Sequence, residues 1–214
     1  MQKFVINLKR RPDRLKQFLK RCPLKDVQVI EAFDAKFPDK EDPVEQEIFN
    51  NKLKKLGAFN RIGERGVFIS HLRIWKKIVQ ENIPLALIFE DDAQFNEKFV
   101  NVFNEINKVD NILFLGGRFQ DNFTMEKNTG IPISENIVKH NYNSWNPKYH
   151  DRTAHAYIIT KELAKILLEL FENTKDPQPV DHFIIIKLKN LDIPVYSTVP
   201  LICWSPMVGD SDIR

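Results

Sequence analysis

Apolar residues in this chain come in two textures, short unbroken runs and single positions spaced three and four apart. Phe4, Val5 and Ile6 form a run of aromatic and β-branched type, and after a polar stretch Leu15, Phe18 and Leu19 fall at helical spacing behind Pro12, a residue suited to a first helical turn. The pattern predicts strand, loop, helix. Residues 27–30, 86–89 and 112–115 repeat the buried-strand texture, and each follows a segment of helical length. Between them, over 64–80, Val67, His71, Ile74, Trp75 and Ile78 share one helical face, and Asn82 with Pro84 ends the helix just before the third strand. Further on, Leu163, Ile166, Leu167 and Leu170 define an amphipathic helix, 181–191 a second, and 195–197 a last strand. His155 and Tyr157 precede a predicted strand and can face either way. This alternation predicts an α/β domain whose sheet is mainly parallel, flanked by helices.

Two stretches break the pattern. Residues 38–60 are polar and charge-rich, with only Val44, Ile48, Leu53 and Leu56 apolar at intervals, so they read as a surface insertion carrying a helix. Residues 120–152 show little periodicity but many Asn, Pro, Tyr and Trp, the texture of a functional loop, here a substrate-facing one. Trp145 and Tyr149 within it suit either packing or stacking on a sugar ring.

Composition narrows the class. The 214 residues suit a single domain, 1–214, with no repeat and no low-complexity tract. Lys and Arg total 32 against 29 Asp and Glu, a formal charge of +3 spread along the chain, so electrostatics give no reason to expect a nucleic-acid partner. Cys22 and Cys203 match neither a disulfide framework nor a zinc ligand pair, which suits free thiols in a reducing compartment. The first residues lack a signal-peptide core, and no apolar run approaches the roughly 20 residues of a membrane span. The expectation is a soluble, cytoplasmic chain of unspecified oligomeric state.

Chemistry concentrates at two strand ends. Glu90, Asp91 and Asp92 directly follow the run Leu85–Phe89, where a buried strand of an open α/β sheet emerges at its ligand-binding edge. In extended backbone Glu90 and Asp92 project to the same side and can share one divalent cation that bridges a diphosphate. The alternative is an acid-rich turn with Asp92 capping the helix that carries Phe99, Val102 and Phe103. At the end of the first strand, Lys9, Arg10, Arg11 and Arg14 precede or open a helix. They read either as a solvated basic turn or, with free backbone N–H groups, as a phosphate site facing the acids. Together the two clusters describe a metal and nucleotide-diphosphate pocket.

A series of motifs then gives a resemblance. FVINLKRRPDR (4–14), EAFDAK (31–36), GERGVFISHLRIWKKI (63–78), LIFEDD (87–92), AYIIT (156–160), VDHF (180–183) and SDI (211–213) resemble, in order, glycosyltransferase family 25. That family includes bacterial lipooligosaccharide and collagen galactosyltransferases, with related chains in large DNA viruses, whose action would be in a host cytoplasm. The resemblance implies a GT-A-like nucleotide-sugar fold, a UDP-sugar donor (galactose or glucose), a divalent cation (Mn²⁺ or Mg²⁺), a glycan or glycoprotein acceptor and transfer with inversion. Carried over by position, Asn7, Arg10 and Arg14 take the donor phosphates, Asp34 the nucleoside, and Ser70 and Ser211 belong to the donor site. Glu90, Asp91 and Asp92 become the metal motif and Asp181 the catalytic base. Arg65 and Val67 depart from the expected GEIGC form, Ala35 replaces a frequent glycine, and no histidine near the carboxyl end stands out as a third metal ligand.

Some roles stay open. His71, on an apolar helical face, is a core histidine orienting a strand end or a group positioning an acidic ligand. Asp181, after Pro179 and before an apolar run, is an N-cap or the base. Besides the transferase, two functions fit: a catalytically silent sugar-nucleotide or glycan-binding module, and a metal-dependent phosphoesterase using the same acids.

Overall fold

The first apolar run is strand β1 (Gln2–Asn7), and the chain turns through Leu8–Arg11 into helix α1 (Pro12–Arg21), where Pro12 fills the first turn and Phe18 is buried. The computed structural model describes residues 1–54, 56, 62–106, 109–117, 130–140 and 153–205. Strand β2 (Gln28–Glu31) begins one residue later than the pattern predicts and leaves Val29 exposed at the sheet edge. Helix α2 (Pro43–Glu47) opens on Asp42, whose carboxylate accepts the Val44 and Glu45 N–H groups. Helix α3 (Ile62–Gln80) stops where Asn82 takes a left-handed φ of 53°, letting the Ile83 N–H return to the Ile78 carbonyl at 2.9 Å. Strand β3 (Leu85–Glu90) follows at once.

After β3 come β4 (Gln94–Phe95), α4 (Phe99–Asn104), β5 (Ile112–Phe114) and β6 (Gly116–Gly117). The chain ends with β7 (Gly130–Ser134), β8 (Ile137–His140), β9 (Ala156–Thr160), α5 (Lys161–Asn173), α6 (Val180–Asn190), β10 (Val195–Thr198) and β11 (Cys203–Trp204). The large sheet has eight strands in the order β2-β1-β3-β9-β5-β10-β8-β7. Six run one way; β8 and β9 run against them. A small sheet, β4-β11-β6, stands beside it.

Strand alternation sorts the core into two layers. Phe4 and Ile6, Ala86 and Ile88, and Tyr157 and Ile159 face α3, α5 and α6, with Phe68, Trp75, Leu167 and Phe183. Val5, Leu87, Phe89, Ala156 and Ile158 face the other way, onto Phe18, Phe99, Val102 and Cys203. Both faces of the sheet are covered, which is why its strands read as continuous apolar runs.

Three expectations need correction. The stretch 120–152 is not all loop: β7 and β8 form a hairpin within it, disguised by Gly130 and Pro132 on an edge strand where a missing N–H is tolerated. The insertion at 38–60 is more than surface, because Phe49, Leu53 and Leu56 are buried in the α3 layer. Asp92 caps no helix; β4 intervenes, and Lys98 stands at the start of α4.

Candidate active site

β1, β2 and β3 are parallel neighbours with Ile6 opposite Glu90 and Asn7 opposite Glu31, so the turns after all three emerge at one edge. The start of α3 closes that edge, and a cleft of about 340 Å³ opens between them. Its lining combines charged groups, Arg10, Arg14, Glu90, Asp91 and Asp92, with apolar ones, Leu8, Phe33, Ala35, Ile62 and Val67. A ligand with one charged and one flat apolar end fits such a cleft.

The acids are held in three different ways. Glu90, the last residue of β3, receives the His71 Nε2–H at 3.3 Å. Trp75 Nε1–H donates to the Tyr157 hydroxyl oxygen at 2.9 Å, and that hydroxyl meets His71 Nδ1 at 2.8 Å. An indole N–H only donates, so the Tyr157 proton points to Nδ1 and the His71 proton sits on Nε2, aimed at Glu90. Burial works against the charged form of Glu90, but the His71 hydrogen bond and the basic groups around it hold its carboxyl below the usual carboxylate range. Asp91 is buried, accepts Asn7 Nδ2 at 2.5 Å and pairs with Arg14. Burial still pushes its carboxyl up to about 6, with Asp92 and Glu90 adding to the rise.

Asp92 differs from both. One oxygen accepts the Ser205 hydroxyl at 3.0 Å and lies 3.6 Å from Arg14, while Oδ1 is buried with no hydrogen-bond partner among the described residues. Burial and the neighbouring Glu90 raise its proton affinity. Such an oxygen is under-satisfied by about 1–3 kcal/mol. A hard cation is the ligand that answers it, so Asp92 fits a divalent cation, with Glu90 and Asp91 adding negative charge close by. Among the described residues no three Asp, Glu, His or Cys side chains converge as a complete cage; a cation here would draw further oxygens from its substrate.

Arg10 Nε donates to Asp34 Oδ2 at 2.7 Å, joining the turns after β1 and β2. Ser70 lines the cleft, but its hydroxyl is used within the protein: it donates to the Gly66 carbonyl at 2.7 Å and accepts the Phe33 N–H at 2.9 Å. Asp181 is away from the cleft lining. It is not the N-cap of α6, a position Pro179 holds; it is the second helical residue, half-buried, and its Oδ1 accepts the His182 N–H at 2.9 Å. Ser211, Trp145 and Tyr149 lie outside the described residues.

Residues 1–184 match the profile of glycosyltransferase family 25, described as an LPS biosynthesis protein family. The chain belongs to glycosyltransferase family 25. Procollagen galactosyltransferase 2 of Mus musculus is 25% identical over 169 residues, covering 68% of this chain and 25% of the relative. Procollagen galactosyltransferase 1-A of Xenopus laevis is 28% identical over 219 residues, covering 91% and 32%. The chain thus spans about a quarter to a third of the length of these relatives. Among solved structures, a glycosyltransferase involved in glycosylation of the major capsid of PBCV-1 aligns over 99% of this chain and 94% of that one, at 11% identity and a TM-score of 0.48.

In this family 25 chain several residues take site roles that their sequence context did not assign. Arg21, in the last turn of α1, donates to the Asp91 carbonyl at 2.5 Å and the Ala93 carbonyl at 2.7 Å, fixing the acidic turn from behind. Tyr157 and Trp75 order the His71 proton. His155 Nε2–H donates to the Gly117 carbonyl at 2.9 Å, and its own carbonyl takes the Glu90 N–H at 2.9 Å, tying the small sheet to the end of β3. Strand pairing, with Phe89 opposite Ala156, is what sets which way His155 faces.

Proposed function

We propose that this chain transfers a hexose, galactose or glucose, from a UDP-sugar to a hydroxyl of a glycan or glycoprotein acceptor, with inversion at the anomeric carbon. One observation carries the reading: Arg10 and Arg14 line one cleft together with Glu90, Asp91 and Asp92, whose Oδ1 has no hydrogen-bond partner among the described residues, and apolar side chains make up much of the remaining lining. Galactose comes first because the relatives are named galactosyltransferases.

In this reading the uridine lies along Phe33, Ala35 and Val67, and the diphosphate beside the arginines and the acids. Arg10 and Arg14 donate to phosphate oxygens as charge-assisted, fork-shaped donors. A divalent cation at Asp92 supplies the positive charge that a departing diphosphate needs. Glu90, held by His71, keeps the acidic edge in one geometry. Asp181 accepts the proton of the acceptor hydroxyl as its oxygen bonds to the anomeric carbon and the carbon–oxygen bond to UDP breaks. Its carboxylate accepts the adjacent His182 N–H, an interaction an acceptor can displace.

The test is product analysis. The protein is incubated with UDP-galactose or UDP-glucose, Mn²⁺ and a hydroxyl acceptor. Transfer cleaves the anomeric carbon–oxygen bond and releases UDP; a phosphoesterase cleaves a phosphorus–oxygen bond and releases UMP and sugar phosphate. Binding without either product marks a silent module and overturns the proposal.

A further inference from the structure

Arg73 stands three residues beyond Ser70 on α3, outside the cleft lining, yet it is wired to the cleft wall. Gly66, Ser70 and Arg73 fall on one helical stripe that faces the segment after β2. Arg73 Nη2 donates to Glu41 Oε2 and to Glu45 Oε2, each at 2.5 Å; Nε donates to Glu45 Oε1 at 2.9 Å and Nη1 to the Glu31 carbonyl at 3.0 Å. The second oxygen of Glu41 accepts the Asp34 backbone N–H at 2.7 Å. Glu41 is therefore a two-headed bridge from a helix cation to the backbone of a cleft residue. Glu45 makes more contacts with Arg73 than Glu41 does, and among the described residues none with the cleft wall.

We propose that Arg73 is a positioning residue for the donor site: through Glu41 it fixes the Asp34 backbone, and with it the wall formed by Phe33, Asp34 and Ala35. The inference rests on the reading of the cleft as a nucleotide-sugar site. Its physics is local. The Glu41 and Glu45 side chains are only 13% and 12% exposed, so without Arg73 they are two like charges short of water. They turn outward, and Glu41 leaves the Asp34 N–H without its acceptor. A lysine keeps the charge but loses the fork that reaches Glu45, Glu41 and the Glu31 carbonyl together.

The contrast between Glu41 and Glu45 separates positioning from mere stability. Glu41→Ala, Glu45→Ala, Arg73→Ala and Arg73→Lys are compared by UDP titration and by amide exchange of Asp34, on protein shown folded by near-UV circular dichroism. Glu41→Ala and Arg73→Ala weaken UDP by about tenfold and speed Asp34 exchange comparably, while Glu45→Ala changes each by less than about threefold and Arg73→Lys falls between. Glu41→Gln, which keeps an acceptor for the Asp34 N–H, stays near wild type in exchange. A plain structural role predicts the reverse order, with Glu45→Ala at least as damaging as Glu41→Ala, and that result overturns the inference. Amide exchange needs no ligand: a wild type that binds no uridine nucleotide overturns the donor-site reading and the donor half of this inference. Wild-type binding with equal losses in the two glutamate variants overturns the inference alone.

Discussion

The Tyr157 hydroxyl donates to Nδ1 of His71 at 2.8 Å, and this one bond keeps the imidazole proton on Nε2, the nitrogen that faces Glu90. Both side chains are fully buried, so neither has water as a substitute partner. Tyr157→Phe leaves the Trp75 N–H and the His71 Nδ1 without partners at a cost of about 1–3 kcal/mol. It also frees the His71 ring to change tautomer. Denaturant unfolding should show the loss, imidazole nitrogen NMR should show a mixed tautomer, and sugar transfer should fall with it. An unchanged tautomer signal would mean that the proton order has another cause.

Asp92 gives an unusual pairing of effects. Asp92 is half-buried beside Glu90, and its buried Oδ1 has no partner among the described residues, so without a cation its charge is a burden on the protein. Asp92→Asn removes that burden and should melt no lower than wild type in chelator, while Mn²⁺-dependent UDP release drops by about tenfold or more. Calorimetry with and without Mn²⁺ checks both halves. Full turnover by metal-free wild type would sink the cation assignment.

Much of the fold is legible in particular residues of the sequence. Runs covered on both faces, such as Phe4–Ile6 and 86–89, announce strands because every position is buried, and α3 announces itself through Ile74, Trp75 and Ile78. The acidic triplet was legible for the same reason, as an abrupt polar end to an apolar run. Its division of labour was not: extended backbone put Glu90 and Asp92 on one side, whereas the strand stops at Glu90 and the chain turns. Contacts such as Asn7 to Asp91 or Glu41 to Asp34 depend on strand order and loop path, which local periodicity does not encode. The hairpin of β7 and β8 was hidden by proline and glycine at an edge.

Gly66 tests the close approach of α3 to the cleft wall. A methyl group there would lie 3.1 Å from Ala35 Cβ and 3.1 Å from the Phe33 carbonyl. Gly66→Ala gains roughly 0.5–1 kcal/mol of helix propensity but overpacks this contact at a cost of roughly 1–3 kcal/mol. The variant should be less stable and bind UDP more weakly. Higher stability on denaturant titration would show that the wall yields easily.

Arg10 and Arg14 should separate in stability and agree in binding. Arg10 pairs with Asp34 at a partly exposed site, where an ion pair contributes about 0–1 kcal/mol. Arg14 faces both Asp91 and Asp92, so its loss leaves the buried Asp91 and the half-buried Asp92 short of a counter-charge. Arg14→Ala should therefore lower the melting temperature more than Arg10→Ala. Both should weaken UDP more than uridine, because only UDP brings a diphosphate. Equal losses for the two ligands would remove phosphate from the account.

Asp181 stands apart from the cleft, and its variant separates chemistry from folding. As the second residue of α6, it helps the helix through the dipole and the His182 N–H, together about 0.3–1 kcal/mol. A cap role would cost more on mutation, but Pro179 already holds that position. Asp181→Asn keeps the size and an acceptor oxygen, so the melting temperature should move little. UDP affinity should hold, since the arginines and Asp92 are untouched. If Asp181 takes the acceptor proton, transfer at saturating UDP-sugar falls by roughly 10² or more, while release of UDP to water, which does not use that hydroxyl, falls less. Melting curves, UDP titration and the two rates measured on one preparation decide the case. Normal transfer with a slightly lowered melting point would return Asp181 to a helix-start role and send the search for the base back to the acids lining the cleft.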